Sequence, residues 1–238
     1  MNVLKACLAL LALLAGPDLG RGSPPAAAIG CSLSNPAQDL KYLFPEVTTY
    51  REEAKDLSKG KDAESIYQKL KDRLGSDLDP VYEAIDTPYT LYTVFKGTDV
   101  LGIVHGVNVP GRGGVIQIFL ATDPKSGEIL KFFYQRLESV TAKELRNKDF
   151  RAQFAGLALA DFYKHDYWAV ADPSSDKDKV GRIKDPTQGE AGKADFQATL
   201  RGIRKNLILL DLFVYEQKNE PFYERSQEAL KKLKPEKK

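Results

Sequence analysis

The middle of the chain has the period of β-strands. Residues 89–95 and 100–107 are rich in β-branched and aromatic side chains, and a short turn containing Gly97 separates them. Two similar runs follow at residues 115–122 and 129–135, each after a turn rich in glycine. Strands joined by such short connections pair antiparallel. The pattern therefore predicts an antiparallel sheet of about four or more strands rather than a parallel, doubly wound one.

Helical periodicity occupies both sides of this sheet. Apolar residues recur every three or four positions in four segments, at residues 39–74 (with one break), 141–164, 195–215 and 221–234. Residues 165–170 have an extended pattern, and residues 171–193 are dominated by Asp, Lys, Pro, Gly and Ser and are expected to form a loop. Helices before and after an antiparallel sheet predict an α+β fold.

The first residues are typical of an export signal. Lys5 is followed by an apolar run over residues 6–15 and by small residues near position 28. The run is shorter than the roughly 20 apolar residues that span a bilayer. We expect a signal peptide over 1–28, a flexible mature N-terminus over 29–38, one domain over 39–234 and a basic tail over 235–238. The tail is either solvated or in contact with anionic lipid.

Cys31 allows a second interpretation of the N-terminus. Residues 28–31 are Ala-Ile-Gly-Cys, a loose form of the bacterial lipobox, in which the cysteine thiol is lipidated. The signal would then end at residue 30, and Cys31 would anchor the protein to a membrane. The alternatives are a lone thiol near the mature N-terminus and a start codon that lies elsewhere. In each case Cys7 leaves with the signal, so no disulfide is expected.

Composition excludes several functions. The chain has 238 residues, with 35 Lys and Arg against 33 Asp and Glu, a balance that gives no reason to expect nucleic acid as a partner. Its two cysteines and two histidines do not have the spacing of a zinc site or of c-type haem attachment. His105 and His165 are expected to pack rather than to catalyse. No nucleophile elbow or phosphate-binding loop motif occurs.

Several short motifs, in this order, resemble the FMN-binding domain family. They are Leu-Phe-Pro-Glu at 43–46, a hairpin at 92–104, Gly-Arg-Gly-Gly-Val-Ile at 111–116 with an Asp-to-Gly turn at 123–127, Gln-Arg-Leu-Glu-Ser at 135–139, and Phe-Arg-Ala-Gln-Phe-Ala-Gly at 150–156. Members of this family include the C subunit of sodium-translocating quinone reductases and the G subunit of Rnf complexes. The similarity extends over residues 44–210.

The resemblance implies a flavin site, with one departure. Family members that bind FMN covalently carry Asp-x-x-Ser/Thr-Gly-Ala-Thr, and the matching segment here starts at Asp185 and has Ala191 in place of the last Thr. An alanine methyl cannot form the phosphoester, so FMN is expected to bind non-covalently if it binds. The expected cofactor-binding residues are Gly113, Gly114, Glu138, Ser139, Thr187, Gln188 and Gly189.

Other residues near this segment either favour or oppose a phosphate. Gly192 and Lys193, with Lys184 and Arg204 close by, would favour it, and Glu190 would repel it. The glycines at 113 and 114 lack Cβ atoms and could admit a flat ring, although a hairpin loop that needs positive φ would use glycine as well.

Three functions remain open at this stage. The first is an exported flavoprotein, in the periplasm or on the outer face of the cytoplasmic membrane, that passes electrons between a membrane oxidoreductase and another carrier. The second is a cofactor-free interaction or assembly subunit on the same fold. The third is a periplasmic protein that binds a small ligand in the same cleft. All three are carrier or binding roles rather than stand-alone enzymes, and fold alone does not decide among them.

Overall fold

A computed structural model describes residues 31–58 and 62–233 of the chain. The predicted signal peptide over 1–28 and the basic tail over 235–238 therefore lie outside the described residues. Within the described part, no helix is long and apolar enough to cross a membrane.

Five antiparallel strands form a meander in which each strand pairs with the next one along the chain. The strands are β1 (Thr49–Asp56), β2 (Pro88–Lys96), β3 (Asp99–Pro110), β4 (Val115–Thr122) and β5 (Ile129–Leu137). Tight turns join β2 through β5, as their glycines predict. The helices flank this sheet, so the α+β expectation is confirmed.

The helices lie before, between and after the strands. They are α1 (Pro36–Leu43), α2 (Ala63–Leu74, followed by a 3-10 turn at Gly75–Asp77), α3 (Ala142–Leu145), α4 (Lys148–Ala152), α5 (Leu159–Ala171), α6 (Gly189–Phe213) and α7 (Glu220–Leu233). The 25-residue α6 packs across β3 and β4 and forms the centre of the helical layer.

Each face of the sheet covers its own apolar core. Inward side chains such as Ile118 and Leu120 of β4 pack beneath α6 with the larger core, which also includes Phe154 and Tyr163. The opposite face buries Phe119 and Ala121 of β4 against α1 and the segment before it. Alternate residues of one strand therefore serve two different cores, as the two-residue period of a strand requires.

Four stretches differ from the sequence-based expectation. Residues 49–56 form β1 rather than part of a helix, because this charged edge strand is held by its backbone pairing with β2. Residues 141–164 form three helices separated by short turns, and residues 165–170 continue α5 instead of extending. The predicted loop over 171–193 ends earlier, where α6 begins at Gly189.

The segment expected to be flexible over 29–38 is packed where it is described. Cys31 and Leu33 are buried, the Leu33 amide donates to the Tyr92 hydroxyl at 3.0 Å, and α1 starts at Pro36. Asn35 caps that helix by accepting from the Gln38 amide. Apolar contact and capping thus fix residues that composition alone assigns to a loop.

Candidate functional site

The loop between β3 and β4 meets the first turns of α6. This glycine loop (residues 111–114) is closed by the Gly111 amide, which donates to the Gly114 carbonyl at 2.8 Å. The next amide, of Arg112, donates to Oδ1 of Asp195 at 2.7 Å, and Asp195 is itself buried. One carboxylate on the second turn of α6 therefore fixes the loop against the helix. The sequence resemblance places these segments in one site, and the fold brings them into contact.

The segment after β5 packs directly on the glycine loop. A Cβ on Gly113 would lie 2.2 Å from the Glu138 carbonyl oxygen, and one on Gly114 would lie 2.2 Å from Oε2 of Glu138. Gly114 also has φ +144°, a backbone conformation that side chains disfavour. Gly113 and Gly114 are therefore accounted for by the close approach of Glu138. The open surface expected for a flat ring is occupied in this structure by the Glu138 carboxylate.

Three residues that carry hydroxyl groups lie between this segment and the start of α6. The Ser139 and Thr141 hydroxyls lie 3.0 Å apart, and Gly192 of α6 packs between Thr141 and Thr187: a Cβ there would be 3.0 Å from the Thr141 methyl carbon and 2.6 Å from Thr187 Oγ1. The Thr187 hydroxyl donates to Oδ1 of Asp185 at 2.6 Å. We call Ser139, Thr141 and Thr187 the hydroxyl cluster. Thr141 is a member that the sequence motif did not single out.

The N-terminus of α6 has free hydrogen-bond donors. Gln188 occupies the N-cap position in an extended conformation, and its side chain makes no capping hydrogen bond. Gly189, the first helical residue, has φ +73° and open space beside it. The first amides of an α-helix have no partner within the helix, and the macrodipole makes this end electropositive. Beside the hydroxyl cluster, these amides form a place where an anion could be held.

Acidic side chains border the same place. Glu190 is exposed in the first turn of α6, and the Glu138 carboxylate forms an ion pair with Arg136 at the surface. Both carboxylates oppose a bound phosphate unless they turn away. Because both side chains are exposed, rotating them away costs little packing.

Two cations proposed from sequence play other roles or lie elsewhere. Arg204 lies fifteen residues beyond Gly189, about 22 Å along the helix, and pairs with Asp166 at 2.7 Å. Arg204 therefore does not belong to this site, which corrects that expectation. Lys184 is exposed on the preceding loop. Its backbone amide donates to the Gln153 side chain, and its carbonyl accepts from the same side chain.

Both histidines make structural hydrogen bonds outside this site. His105 of β3 is completely buried, and its Nδ1 lies 2.6 Å from Oδ1 of Asn206. The Asn206 amide nitrogen donates to the Ile118 carbonyl, so Oδ1 is the acceptor and His105 Nδ1 carries the proton. His105 Nε2 has no partner within the described residues. His165 of α5 contacts Asp178 through Nδ1 at 2.7 Å.

Cys31 lies on the other face of the sheet. Its Sγ accepts from the Gln117 side chain at 3.1 Å, the residue is 4% exposed, and burial raises the pKa of its thiol to about 12. Such a thiol is a poor nucleophile. Attachment of a lipid to Cys31 would require residue 31 to leave this position.

The geometry can thus hold a small anionic group, with a loop of glycines and an apolar sheet edge beside it. Comparison of the sequence with protein-family models and with curated proteins gives no match. The resemblance to the FMN-binding domain family therefore rests on the ordered sequence motifs alone.

Proposed function

We propose that this protein binds FMN non-covalently at the junction of the glycine loop, the hydroxyl cluster and the start of α6, and that it acts in electron transfer. The observation that carries this proposal is the convergence of three segments, far apart in sequence, around an uncapped helix N-terminus. A phosphate ester is the ligand that free helix amides and hydroxyls suit best.

The residues present fit the phosphate end of FMN better than its ring. The amides that follow Gln188 and Gly189, with the Ser139, Thr141 and Thr187 hydroxyls, would hold the phosphate. Ala191 has no hydroxyl, so this segment offers no ester bond at that position. The ring would lie against Gly113 and Gly114 after the exposed Glu138 side chain rotates away. When bound, FMN supplies the redox chemistry, and the protein supplies binding and electrostatics.

In this proposal the protein is exported and works on the outer side of the cytoplasmic membrane, in the periplasm. The partner is a membrane oxidoreductase or another electron carrier. Support comes from the export-like residues 1–28 and from the family resemblance. Cys31 is proposed as a lipid anchor only for a form of the protein in which residue 31 is released from the core.

A second candidate is a cofactor-free interaction or assembly subunit, or a small-ligand binder, on the same fold. The specific observation in its favour is the Glu138 carboxylate, which occupies the space beside Gly114, together with Glu190 at the helix start. Carboxylates would repel the FMN phosphate, so their presence here is expected in a protein that does not bind FMN.

Titration with FMN and with riboflavin separates the two candidates. The full exported chain is purified, its visible spectrum is recorded, and each flavin is added while flavin fluorescence is followed. We expect saturable binding of FMN and clearly weaker binding of riboflavin, which lacks the phosphate. A colourless protein with no response at high FMN concentration would overturn the flavin proposal and leave the second candidate.

A substitution at Gly114 locates the site. Gly114→Val places a branched side chain at φ +144°, which costs roughly 1–3 kcal/mol in strain, and drives it into Glu138. FMN binding should be lost while the chain stays folded. Gly156→Val is the matched control, because Gly156 also has positive φ (78°) but lies in a distant turn with open space around it. Equal FMN binding by both variants would place the ring elsewhere.

A further inference from the structure

Helices α5 and α7 enclose an apolar groove on the side of the molecule away from the glycine loop. Its deeper part is a cavity of about 260 Å³ whose walls include Tyr163, Trp168 and Phe222. A second cavity of about 320 Å³ shares Tyr167 and Ala229 with the first and extends it towards the end of α7. We call the two together the α5–α7 groove.

The deeper part is walled by aromatic rings. Tyr163 is fully buried and lies 5.4 Å from the Tyr223 ring, and Tyr167 meets Trp168 edge to face at 4.9 Å. Among its lining residues, the Ser226 hydroxyl already donates to the Tyr223 carbonyl at 2.7 Å. The Tyr163 hydroxyl is buried without a hydrogen-bond partner in the described residues. Apart from that hydroxyl and the polar edges of Tyr167 and Trp168, a ligand entering here meets mainly apolar surface. A hydrocarbon chain suits such a surface, whereas a peptide backbone would lose its hydrogen bonds to water.

Two exposed cations lie over the Phe222 ring. Lys164 Nζ lies 5.8 Å and Arg225 Cζ lies 4.8 Å from the centre of the Phe222 ring. Neither takes part in an ion pair with a carboxylate within residues 31–58 and 62–233. Lys232 and Glu228 line the second cavity and oppose each other in charge. The deeper part is therefore apolar with a positive rim.

We propose that the α5–α7 groove binds a free, single-chain anionic amphiphile of the fatty-acid class. The apolar chain lies between the rings of Tyr167, Trp168 and Phe222, above the buried Tyr163, and the carboxylate lies at Lys164 and Arg225. Both cations present hydrocarbon stems to the chain and charged ends to the head group. This inference is independent of flavin binding, because it uses a different surface.

Trp168 is the one tryptophan of the chain and lines the groove, so its fluorescence reports binding. The full chain is titrated with decanoate below its micelle concentration, and with decyltrimethylammonium, which has the same chain and the opposite charge. We expect a saturable change with decanoate and weaker binding of the cation. Equal affinity for the two, or no saturable change with decanoate, would overturn the proposal.

Variants test the two parts of the groove separately. Ala229→Phe fills the groove and should abolish the response, and Ala229→Leu, a smaller change, should weaken it; circular dichroism checks that both remain folded. Arg225→Gln and Lys164→Gln should each weaken decanoate binding by up to about fivefold, the effect of one exposed charge pair. Lys131→Gln, on β5 far from the groove, should leave binding unchanged.

Two further outcomes would overturn the proposal. The first is decanoate binding that survives in a folded Ala229→Phe protein, because the chain would then lie elsewhere. The second is a Trp168 response to vesicles containing anionic phospholipid with none to monomeric decanoate, because the surface would then bind a membrane rather than a free amphiphile.

Discussion

The first turn of α6 and its C-terminal half treat polar groups in opposite ways. In the C-terminal half, Lys205, Asn206 and Asp211 are buried and each has hydrogen-bond partners inside the protein. At the N-terminal end, Gln188 leaves the first amides uncapped beside the hydroxyl cluster. The C-terminal half uses its polar side chains to hold the fold, and only the first turn leaves backbone amides available to a ligand. Between them, Asp195 and Thr199 are again buried and hydrogen-bonded.

The buried half is organised around three ion pairs, two of which share Arg73. Arg73 of α2 contacts Asp211 at 2.7 Å with both side chains almost fully buried, and it also pairs with Glu220 of α7. Lys205 pairs with Glu83 and donates to the Asn108 carbonyl at 2.9 Å. Burial lowers the pKa of Lys205 and raises that of Glu83. A buried charge is tolerated only when it is paired, so these contacts should be costly to break singly.

The largest effect is expected for Asp211→Ala. The substitution leaves the buried Arg73 guanidinium without its buried carboxylate partner and removes the acceptor of the Asn219 backbone and side-chain amides. The free energy of unfolding should fall by about 3–5 kcal/mol, measured by urea denaturation.

An exposed pair provides the control for Asp211→Ala. Glu53→Ala breaks the surface pair between Glu53 and Lys55, and it should cost less than about 1 kcal/mol. If Asp211→Ala lost no more stability than Glu53→Ala, the buried half of α6 would not be the part of the helix on which the fold depends.

Acid should lower the stability of the protein through His105 of β3, which is hydrogen-bonded to Asn206 in the buried half of α6. Burial is the main cause that lowers the pKa of His105 to about 4, from 6.5 for a free imidazole, and the Asn206 hydrogen bond opposes this shift. The unfolded state therefore binds more protons between these two values. The contribution of this group to the free energy of unfolding is fully present above pH 6.5. It is lost as the pH drops towards 4, by up to about 3 kcal/mol.

The His105→Gln variant isolates this contribution. Urea unfolding of the original chain and of the variant is compared from pH 7 to pH 4. The difference in unfolding free energy between the two proteins should shrink as the pH falls. Only the original chain has a histidine at position 105, which gains a proton on unfolding in this pH range and so favours the unfolded state. A difference that stays constant over this range would show that His105 is not protonated on unfolding.

The sequence predicts the sheet better than it predicts the interior of this helix. The strands β2 to β5 are runs rich in β-branched and aromatic residues between short turns, and the structure keeps these runs as strands. β1 lacks this signal, since Thr49–Asp56 is mostly polar and exposed and is held by backbone pairing. The Lys205–Glu83 pair joins residues 122 positions apart, and no local pattern connects them.

The candidate site shows the same division. The ordered motifs single out Gly113, Glu138 and Ser139, and the structure packs Gly113 against the Glu138 and Ser139 backbone. Their role as a flavin site stays a prediction. The physical reason for the glycines was not predictable, because it is the approach of the Glu138 segment from the next strand. The hydrogen bond from the Arg112 backbone amide to Asp195 was also not predicted, because every residue except proline has a backbone amide and the sequence does not indicate which one is used.

The smallest predicted effect is at the open end of α6, where Gln188 makes no cap. Its extended conformation, with φ −126° and ψ 149°, is the one that capping residues adopt. Gln188→Asp and Gln188→Asn should each raise the free energy of unfolding by roughly 1 kcal/mol, because each side chain can accept from a free amide of the first turn.

The same two variants should separate in ligand binding. Both occupy amides that the proposed phosphate would use, and both should weaken FMN binding. The aspartate additionally places a negative charge next to the phosphate, so FMN should bind more weakly to Gln188→Asp than to Gln188→Asn, and the difference should shrink as salt screens the charge. Riboflavin binding should not distinguish the two variants. Equal FMN affinities at low salt would mean that the open end of α6 does not hold the phosphate, even though stability had risen as expected.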